Sequence, residues 1–212
     1  MSQQLAKLAE MIIAGRVDDV ATLTKELIDA GTDPEVVLSQ GLMPGMDVVG
    51  RRFRACEMFI PEVLRSAKAM SKGTDILRPL LSEAQAMGAG KFVIGTVKGD
   101  LHDIGKNLVA MMFEGAGFQV INLGIDLDAQ VFVDAVKEHK PDILGISALL
   151  TTTMPRMGEA INALKEAGIR DQVKVIVGGA PVTAEYAEKI GADAYGPNAA
   201  MAVETGKGLL AS

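Results

Sequence analysis

The spacing of hydrophobic residues along this chain changes near residue 85. Up to that point apolar residues recur at steps of three and four, which is typical of amphipathic helices. The first two such stripes are Leu5, Leu8, Met11 and Ile12, followed by Val20, Leu23, Leu27 and Ile28. Four helices joined by short connections predict a small helical bundle over residues 1–85.

Glycine and proline mark where the helices of this bundle begin and end. Gly31 is placed to end the second helix, and Thr32-Asp-Pro-Glu35 offers a capping side chain, a proline and an acid for the start of the third. Pro44 falls inside the third apolar stripe, so we expect it to kink that helix or to divide it in two. Ile60-Pro-Glu62 opens the fourth helix, which is predicted to reach Leu81.

From residue 86 onward, short β-branched runs alternate with helical patterns. Ser82–Gly90 is small and polar and predicts a linker between two domains, residues 1–85 and 86–212. The predicted strands are Phe92–Val97, Gln119–Leu123, Ile143–Ile146, Val173–Val177 and Asp193–Tyr195, and the helices between them cover roughly 105–117, 128–139, 154–167, 182–190 and 198–210. The fold class is therefore α + α/β: a helical bundle cap followed by a flavodoxin-like (Rossmann-type), five-stranded parallel sheet. Such sheets bind ligands beyond the carboxyl ends of their strands.

Composition and charge narrow the possible partners. The net charge is −6 and no basic cluster occurs, which argues against nucleic acid, because that binding relies on lysine and arginine neutralising phosphates. No apolar run is long enough to predict a membrane span, and the first residues lack the features of a signal peptide, so a cytoplasmic location is expected. Cys56 is the single cysteine, which excludes an internal disulfide, and we expect it to be buried and inert.

The candidate chemistry lies in the turn after the first predicted strand, Asp100-Leu-His-Asp-Ile-Gly105. An imidazole that binds a metal usually donates from its other ring nitrogen to a carboxylate or carbonyl. Asp100 is the natural acceptor for His102, although spacing alone leaves Asp103 open, and Ser147 at the end of the third strand could hydrogen-bond that carboxylate in turn. Gly105 lies three positions after the histidine, where a bulky group could press against the backbone.

The other turns at the same sheet edge are Ser147–Thr153, Gly178–Pro181 and Gly196–Asn198, and together they should line one crevice. Gly178-Gly179 is expected to leave space for a large planar or extended ligand. Thr151 could contact that ligand, whereas capping of the next helix is the favoured role for Thr152 and Thr153. Each piece has an ordinary explanation as a cap or a turn, but their convergence on one edge favours a functional site.

These motifs resemble those of a known family. The motifs are Gly99-Asp-Leu-His-Asp-Ile-Gly105, Ser147-Ala-Leu149, Gly178-Gly-Ala180, Gly45-Met-Asp-Val-Val-Gly50, Glu57-Met-Phe-Ile-Pro-Glu-Val63 and Gly191-Ala-Asp-Ala-Tyr-Gly-Pro-Asn-Ala199. The chain is similar to cobalamin-binding proteins that join a helical cap to a flavodoxin-like domain, as in cobalamin-dependent methionine synthase. More closely, it resembles the small corrinoid proteins of methylamine, methanol and methoxy-aromatic methyltransferase systems. The resemblance covers nearly the whole chain.

The resemblance implies a role for each of these residues. His102 would be the lower axial ligand of cobalt, displacing the benzimidazole base of the cofactor, with Asp100 and Ser147 behind it. The nucleotide tail would run past the sheet edge, and two cap residues would lie over the upper face. The full set of implied cofactor-binding residues is Gly99, Asp100, His102, Asp103, Ile104, Gly105, Ser147, Leu149, Thr151, Gly178, Gly179, Tyr195, Gly196, Ala199, Met58 and Phe59.

The function implied is that of a methyl carrier, with cobalamin as the cofactor and methylcobalamin as the loaded state. Its partners would be a substrate-specific methyltransferase, an acceptor methyltransferase using tetrahydrofolate or a thiol, and a reductive activase. Such a chain would turn nothing over alone. The alternatives are a cobalamin-dependent sensor, whose relatives usually carry a DNA-binding module, a subunit of an adenosylcobalamin mutase, which needs a substrate barrel, and a receiver-like domain without cofactor.

Overall fold

The computed structural model describes residues 2–81 and 89–211. It divides into two compact units: Met1–Ala89 with Met111–Phe118, and Gly90–Ala110 with Gln119–Ser212. The predicted boundary between residues 85 and 86 lies outside the described residues, as does most of the predicted linker Ser82–Gly90.

The first unit is helical, as predicted. Its elements are α1 (Ser2–Ile13), α2 (Val17–Asp29), α3 (Pro34–Val36), a π-helical segment (Val37–Leu42), α4 (Met43–Arg54), α5 (Ile60–Leu77) and a 3₁₀ turn (Arg78–Leu80). The predicted third helix is interrupted by the π-helical segment, which ends directly before α4, and Pro44 stands in the first turn of α4. The fourth helix ends at Leu77 rather than Leu81, because Pro79 cannot continue an α-helix.

Helix packing in this unit depends on close approach of α1 and α4. A Cβ added to Gly45 would lie 2.7 Å from Cβ of Ile12, so only glycine fits there. The apolar stripes predicted from the sequence form the core, with Leu8, Ile12, Val20 and Val49 fully buried.

The expectation of a buried Cys56 is wrong. This residue is exposed and has a left-handed backbone, with φ of 57°. It lies in the turn that follows α4, and this position overrides the general tendency of free cysteine to be buried.

The second unit contains a five-stranded sheet with the order β2-β1-β3-β4-β5. Its strands are β1 (Gly90–Val97), β2 (Phe118–Leu127), β3 (Ile143–Ser147), β4 (Lys174–Gly178) and β5 (Ala194–Gly196). The helices are α6 (Ile104–Gly115), α7 (Ala129–His139), α8 (Pro155–Glu166), α9 (Ala184–Ile190) and α10 (Ala199–Leu210). The pairs β1–β3, β3–β4 and β4–β5 are parallel, which confirms the predicted flavodoxin-like sheet.

The strand register brings four residues side by side at the carboxyl edge of the sheet. Thr96 pairs with Ser147, Ser147 with Gly178, and Gly178 with Gly196. Three of these four were predicted to belong to the site, so the register supports the expectation of a common edge.

No helix within residues 2–81 and 89–211 has both the length and the apolar character needed to span a membrane.

Candidate functional site

The turn that carries His102 is fixed at several points along its backbone. It leaves β1 after Val97, passes through Gly99 with φ of 80°, and reaches α6 at Ile104. The Thr96 hydroxyl donates to the carbonyl oxygen of His102 at 3.1 Å, and the His102 N–H donates to Oδ1 of Asp100 at 3.1 Å. The end of β1, through Thr96, and the Asp100 side chain thus both fix the backbone of the turn.

His102 and Asp100 form the pair that the sequence predicts. Nδ1 of His102 lies 2.8 Å from Oδ1 of Asp100, whose side chain is fully buried, while the imidazole is 50% exposed. With its proton on Nδ1, the ring keeps an unprotonated Nε2 that is available to a metal. Asp103, the other candidate acceptor, instead accepts a hydrogen bond from Nδ2 of Asn107 at 3.0 Å.

The second carboxylate oxygen of Asp100 is held by the loop that follows β3. Oδ2 accepts from the Thr153 hydroxyl at 2.7 Å and from the backbone N–H groups of Leu149 at 2.7 Å and Leu150 at 3.3 Å. The predicted hydrogen bond from Ser147 is wrong: the loop after β3 turns back and presents Thr153 to the carboxylate. The capping role expected for Thr153 is also wrong, because Met154 is the N-cap of α8.

The hydrogen bonds keep Asp100 ionised. Burial raises the pKa of this carboxyl, but the hydrogen bonds from Thr153, Leu149 and His102 lower it more, so the pKa lies well below its ordinary value. An ionised Asp100 can only accept hydrogen bonds, and it therefore holds the Nδ1 proton of His102 in place.

The backbone packs closely around Gly178 and Gly179. A Cβ on Gly178 would lie 2.9 Å from the carbonyl oxygen of Gly196, and one on Gly179 would overlap the carbonyl oxygen of Ala148. Gly179 also has φ of 132°, which other residues rarely adopt. The predicted ligand space beside the fourth strand stays a prediction, because these contacts concern only the direction in which a side chain would point.

Exposed apolar side chains lie in the histidine turn and in the loop that holds Asp100. Leu101 is 68% exposed and Ile104 73%, and Leu149 and Leu150, whose N–H groups reach Asp100, are each 41% exposed. A Cβ added to Gly105 would meet no atom within 4 Å, so the backbone there is open, as predicted. An available Nε2 amid exposed leucine and isoleucine fits a large, flat ligand that has apolar faces and carries a metal.

The remaining predicted residues are spread over both units. Asp103 lies exposed just before α6, and Thr151 is exposed in the loop after β3. Tyr195 packs in part against the core of the sheet, and Ala199 is buried at the start of α10. In the helical unit, Met58 is buried and Phe59 is 68% exposed.

Three residues of this site were missed from the sequence: Thr96, Thr153 and Asp126. The predicted turn Ser147–Thr153 was correctly placed at the carboxyl edge of the sheet. The Thr153 hydroxyl could therefore have been proposed as a donor to Asp100, but it was assigned to helix capping. Asp126 lies beyond the predicted end of the second strand, and its carboxylate accepts from the Gly99 N–H at 2.8 Å.

Within residues 2–81 and 89–211, no group of three or more His, Cys, Asp or Glu side chains could hold a metal ion. These features are typical of a cofactor-binding protein: a histidine turn at the carboxyl edge of a parallel sheet, with exposed Leu101, Ile104, Leu149 and Leu150.

Comparison with known proteins identifies the family. Two family profiles described as B12 binding domains match residues 90–204 and 4–78. Trimethylamine corrinoid protein 1 of Methanosarcina acetivorans is 42% identical over 97% of this chain and 96% of its own length. The crystal structure of a cobalamin-binding protein from Desulfitobacterium hafniense DCB-2 has 33% identity and a TM-score of 0.79, over 97% of this chain and 98% of that one.

A second solved structure, the methanol:cobalamin methyltransferase complex MtaBC from Methanosarcina barkeri, has 33% identity and a TM-score of 0.90 over 99% of this chain and 80% of the matched one. The chain belongs to the family of B12-binding corrinoid proteins, and its cofactor is cobalamin.

Proposed function

We propose that this chain is a methyl-carrying corrinoid protein in which His102 is the lower axial ligand of cobalamin. The observation that carries the proposal is the pairing of a half-exposed imidazole with a buried, ionised carboxylate, 2.8 Å apart, at the carboxyl edge of the sheet. The names of two relatives, a trimethylamine corrinoid protein and a methanol:cobalamin methyltransferase complex, support methyl transfer as the process served.

The residues of the site would hold the cofactor in distinct ways. Asp100 keeps the Nδ1 proton and so directs the lone pair of Nε2 outward. Leu101 and Ile104 offer apolar surface to the corrin ring of the cofactor. Gly105 has no side chain, which allows the cofactor to approach the backbone closely. Bound cobalamin supplies the nucleophilic metal on which a methyl group can be carried, and the protein supplies ligation and orientation.

As the ligand, His102 must also be able to release the metal, and the site provides a route. A proton and a metal compete for the same lone pair on Nε2, so loss of ligation and uptake of a proton are coupled. Asp100, which is held by the Thr153 hydroxyl, keeps its hydrogen bond to Nδ1 of His102 available when the metal is released.

We further propose that Met58 and Phe59 shield the upper face of the cofactor. The exposure of Phe59, 68%, makes its ring available for contact, whereas Met58 is buried and would act by supporting it.

The proposed partners are a substrate-specific methyltransferase, an acceptor methyltransferase that uses tetrahydrofolate or a thiol, and a reductive activase. Selection of the methyl donor would lie with the first partner. Capture of bound methyltransferases on the tagged full chain, followed by trial of methylamines, methanol and methoxy-aromatics as donors, tests this part of the proposal.

The test of the ligand is His102→Ala. The variant should be less stable but still fold, because Asp100 keeps its hydrogen bonds from Thr153, from Leu149 and from the backbone N–H of residue 102. Cobalamin bound to it should lack the shift in the visible spectrum caused by histidine ligation. His139→Ala, which removes the second histidine of the chain at the end of α7, is the matched control and should keep the shift. An unchanged spectrum in the His102 variant would remove this residue from the coordination sphere.

A further inference from the structure

The end of β2 is joined to the histidine turn by two hydrogen bonds through one residue, Asp126. Its carboxylate Oδ1 accepts from the Gly99 N–H at 2.8 Å, and its own N–H donates to the carbonyl oxygen of Asp100 at 3.2 Å. Asp126 therefore contacts the backbone directly before and within the turn that presents His102.

The backbone of Asp126 has adopted an uncommon conformation at this position. Its φ is 57°, in the left-handed region that glycine, asparagine and aspartate tolerate best. The residue it holds, Gly99, also has positive φ, at 80°. Two adjoining chain segments are thus fixed in unusual conformations against each other.

Lys98 forms ion pairs beside this contact, but they are not what fixes the turn. Its Nζ lies 3.6 Å from Asp126 and 3.3 Å from Asp128, with the Lys98 and Asp126 side chains 46% and 43% exposed. Ion pairs as exposed as these contribute little to stability. The hydrogen bond to the Gly99 N–H is the specific element, because it fixes a backbone direction.

We propose that Asp126 is a positioning residue that fixes the Gly99–Asp100 turn and thereby sets how firmly His102 coordinates cobalamin. This inference rests on the proposed function. The buried Asp100 carboxylate keeps its bonds to Thr153 and Leu149 when Asp126 is changed, so the fold should persist. The turn becomes more mobile, and the orientation of the His102 ring is then less well fixed.

Two substitutions separate the hydrogen bond from the charge and from backbone strain. Asp126→Gly removes the acceptor but tolerates the left-handed backbone, whereas Asp126→Asn keeps an acceptor oxygen and a tolerant backbone but removes the charge. We expect Asp126→Gly to raise the Kd for cobalamin by about threefold to tenfold and to reduce the spectral shift of histidine ligation. Asp126→Asn should behave as the wild type.

A second readout needs no cofactor. In the cofactor-free protein, hydrogen exchange of the Gly99 amide should be faster in Asp126→Gly than in the wild type and unchanged in Asp126→Asn. Asp128→Asn, which touches Lys98 but not the turn, is the control and should leave both the exchange rate and the spectrum unchanged.

The outcomes distinguish this inference from the proposed function. A wild type whose spectrum does not depend on His102 would overturn the proposed function and, with it, any effect of Asp126 on ligation. If the wild type shows histidine ligation but Asp126→Gly matches it in spectrum and amide exchange, only the role of Asp126 is overturned. The same holds if Asp126→Asn is as impaired as Asp126→Gly.

Discussion

Asp100 combines a structural and a functional role in one side chain. A buried carboxylate costs free energy unless it is hydrogen-bonded, and here both oxygens have donors, from His102 on one side and from Thr153, Leu149 and Leu150 on the other. The same bonds that stabilise the buried charge also orient the imidazole. Residue-level changes here should therefore show both in stability and in ligation.

The Thr153 hydroxyl can be tested with a side chain of the same shape. Thr153→Val removes the donor to Asp100 and should lower the free energy of unfolding by about 1–3 kcal/mol, whereas Thr153→Ser should lose much less. Urea unfolding of the cofactor-free protein measures both. Thr152→Val, at an exposed neighbouring position, is the control. Equal stability of the Thr153→Val variant and the wild type would show that the hydroxyl contributes nothing to the buried carboxylate.

The ionisation of Asp100 predicts a dependence of stability on pH. Its pKa in the folded chain lies below that of an unfolded aspartate, which is about 3.9. As the pH falls the unfolded chain takes up the proton first, so the contribution of Asp100 is fully present above about pH 5 and is lost progressively as the pH falls further. The difference in unfolding midpoint between the wild type and Asp100→Asn should thus shrink from pH 7 to pH 3. A difference that stays constant over this range contradicts the assignment.

At the residue scale, the sequence predicts contacts between close neighbours better than contacts between loops. Spacing inside one turn narrowed the partner of His102 to Asp100 or Asp103, and Asp100 was the one preferred. The choice between Ser147 and Thr153 as partner of Asp100 depends on how the loop after β3 turns back, which no spacing encodes. Cys56 illustrates the same limit, since its exposure follows from a left-handed turn rather than from its residue type.

The elements at the sheet edge depend on close approach of backbones, and Gly179 is the sharpest case. Gly179→Ala would place a Cβ on the carbonyl oxygen of Ala148 and force a β-carbon into a backbone with φ of 132°. We expect the free energy of unfolding to fall by at least about 2 kcal/mol. The control is Gly168→Ala, also at positive φ but with nothing near the added Cβ, which should cost less. Similar losses in both variants would assign the cost to backbone conformation alone.

Gly105→Ala gives the opposite pattern, because this glycine lies in the first turn of α6 with open space around it. Alanine favours a helix over glycine by up to about 1 kcal/mol, so the cofactor-free protein should be as stable as the wild type or more stable. If the cofactor approaches this backbone as proposed, the Kd for cobalamin should rise. Titration of both proteins with cobalamin, followed by visible spectra, decides the point: unchanged affinity would place the cofactor away from Gly105.

At the element scale, strands and helices of the second unit were predicted to within a few residues, because β-branched runs and helical stripes alternate cleanly. The prediction ended β2 at Leu123, whereas the strand continues to Leu127. Its last residues are not a buried apolar run, so periodicity gave no signal, and Asp126 was missed with them. The π-helical segment Val37–Leu42 has the same apolar spacing as an ordinary helix and could not be distinguished from one.

At the scale of the whole molecule, the change of hydrophobic period predicts two units, but the chain does not divide at one point. Met111–Phe118, which follows the first half of α6, belongs with the helical unit. The contacts are specific, since a Cβ on Gly115 would lie 2.6 Å from Cε of Met46 and one on Gly117 would lie 2.9 Å from Cε of Met43. A segment inserted from the second half of the sequence completes the first unit.

This division predicts that residues 90–212 will not fold stably by themselves. Phe113 and Phe118, which contact each other edge to face, are buried in the full chain, and Met111–Phe118 would lose its packing against the α4 methionines. Exposing two phenylalanine side chains costs about 3 kcal/mol or more, a large share of the stability of a small domain. Urea unfolding of the shortened and full chains measures the loss, and Met46→Ala in the full chain should reproduce part of it. A shortened chain with the unfolding midpoint of the full one would show that the sheet unit does not need the helical residues around this segment.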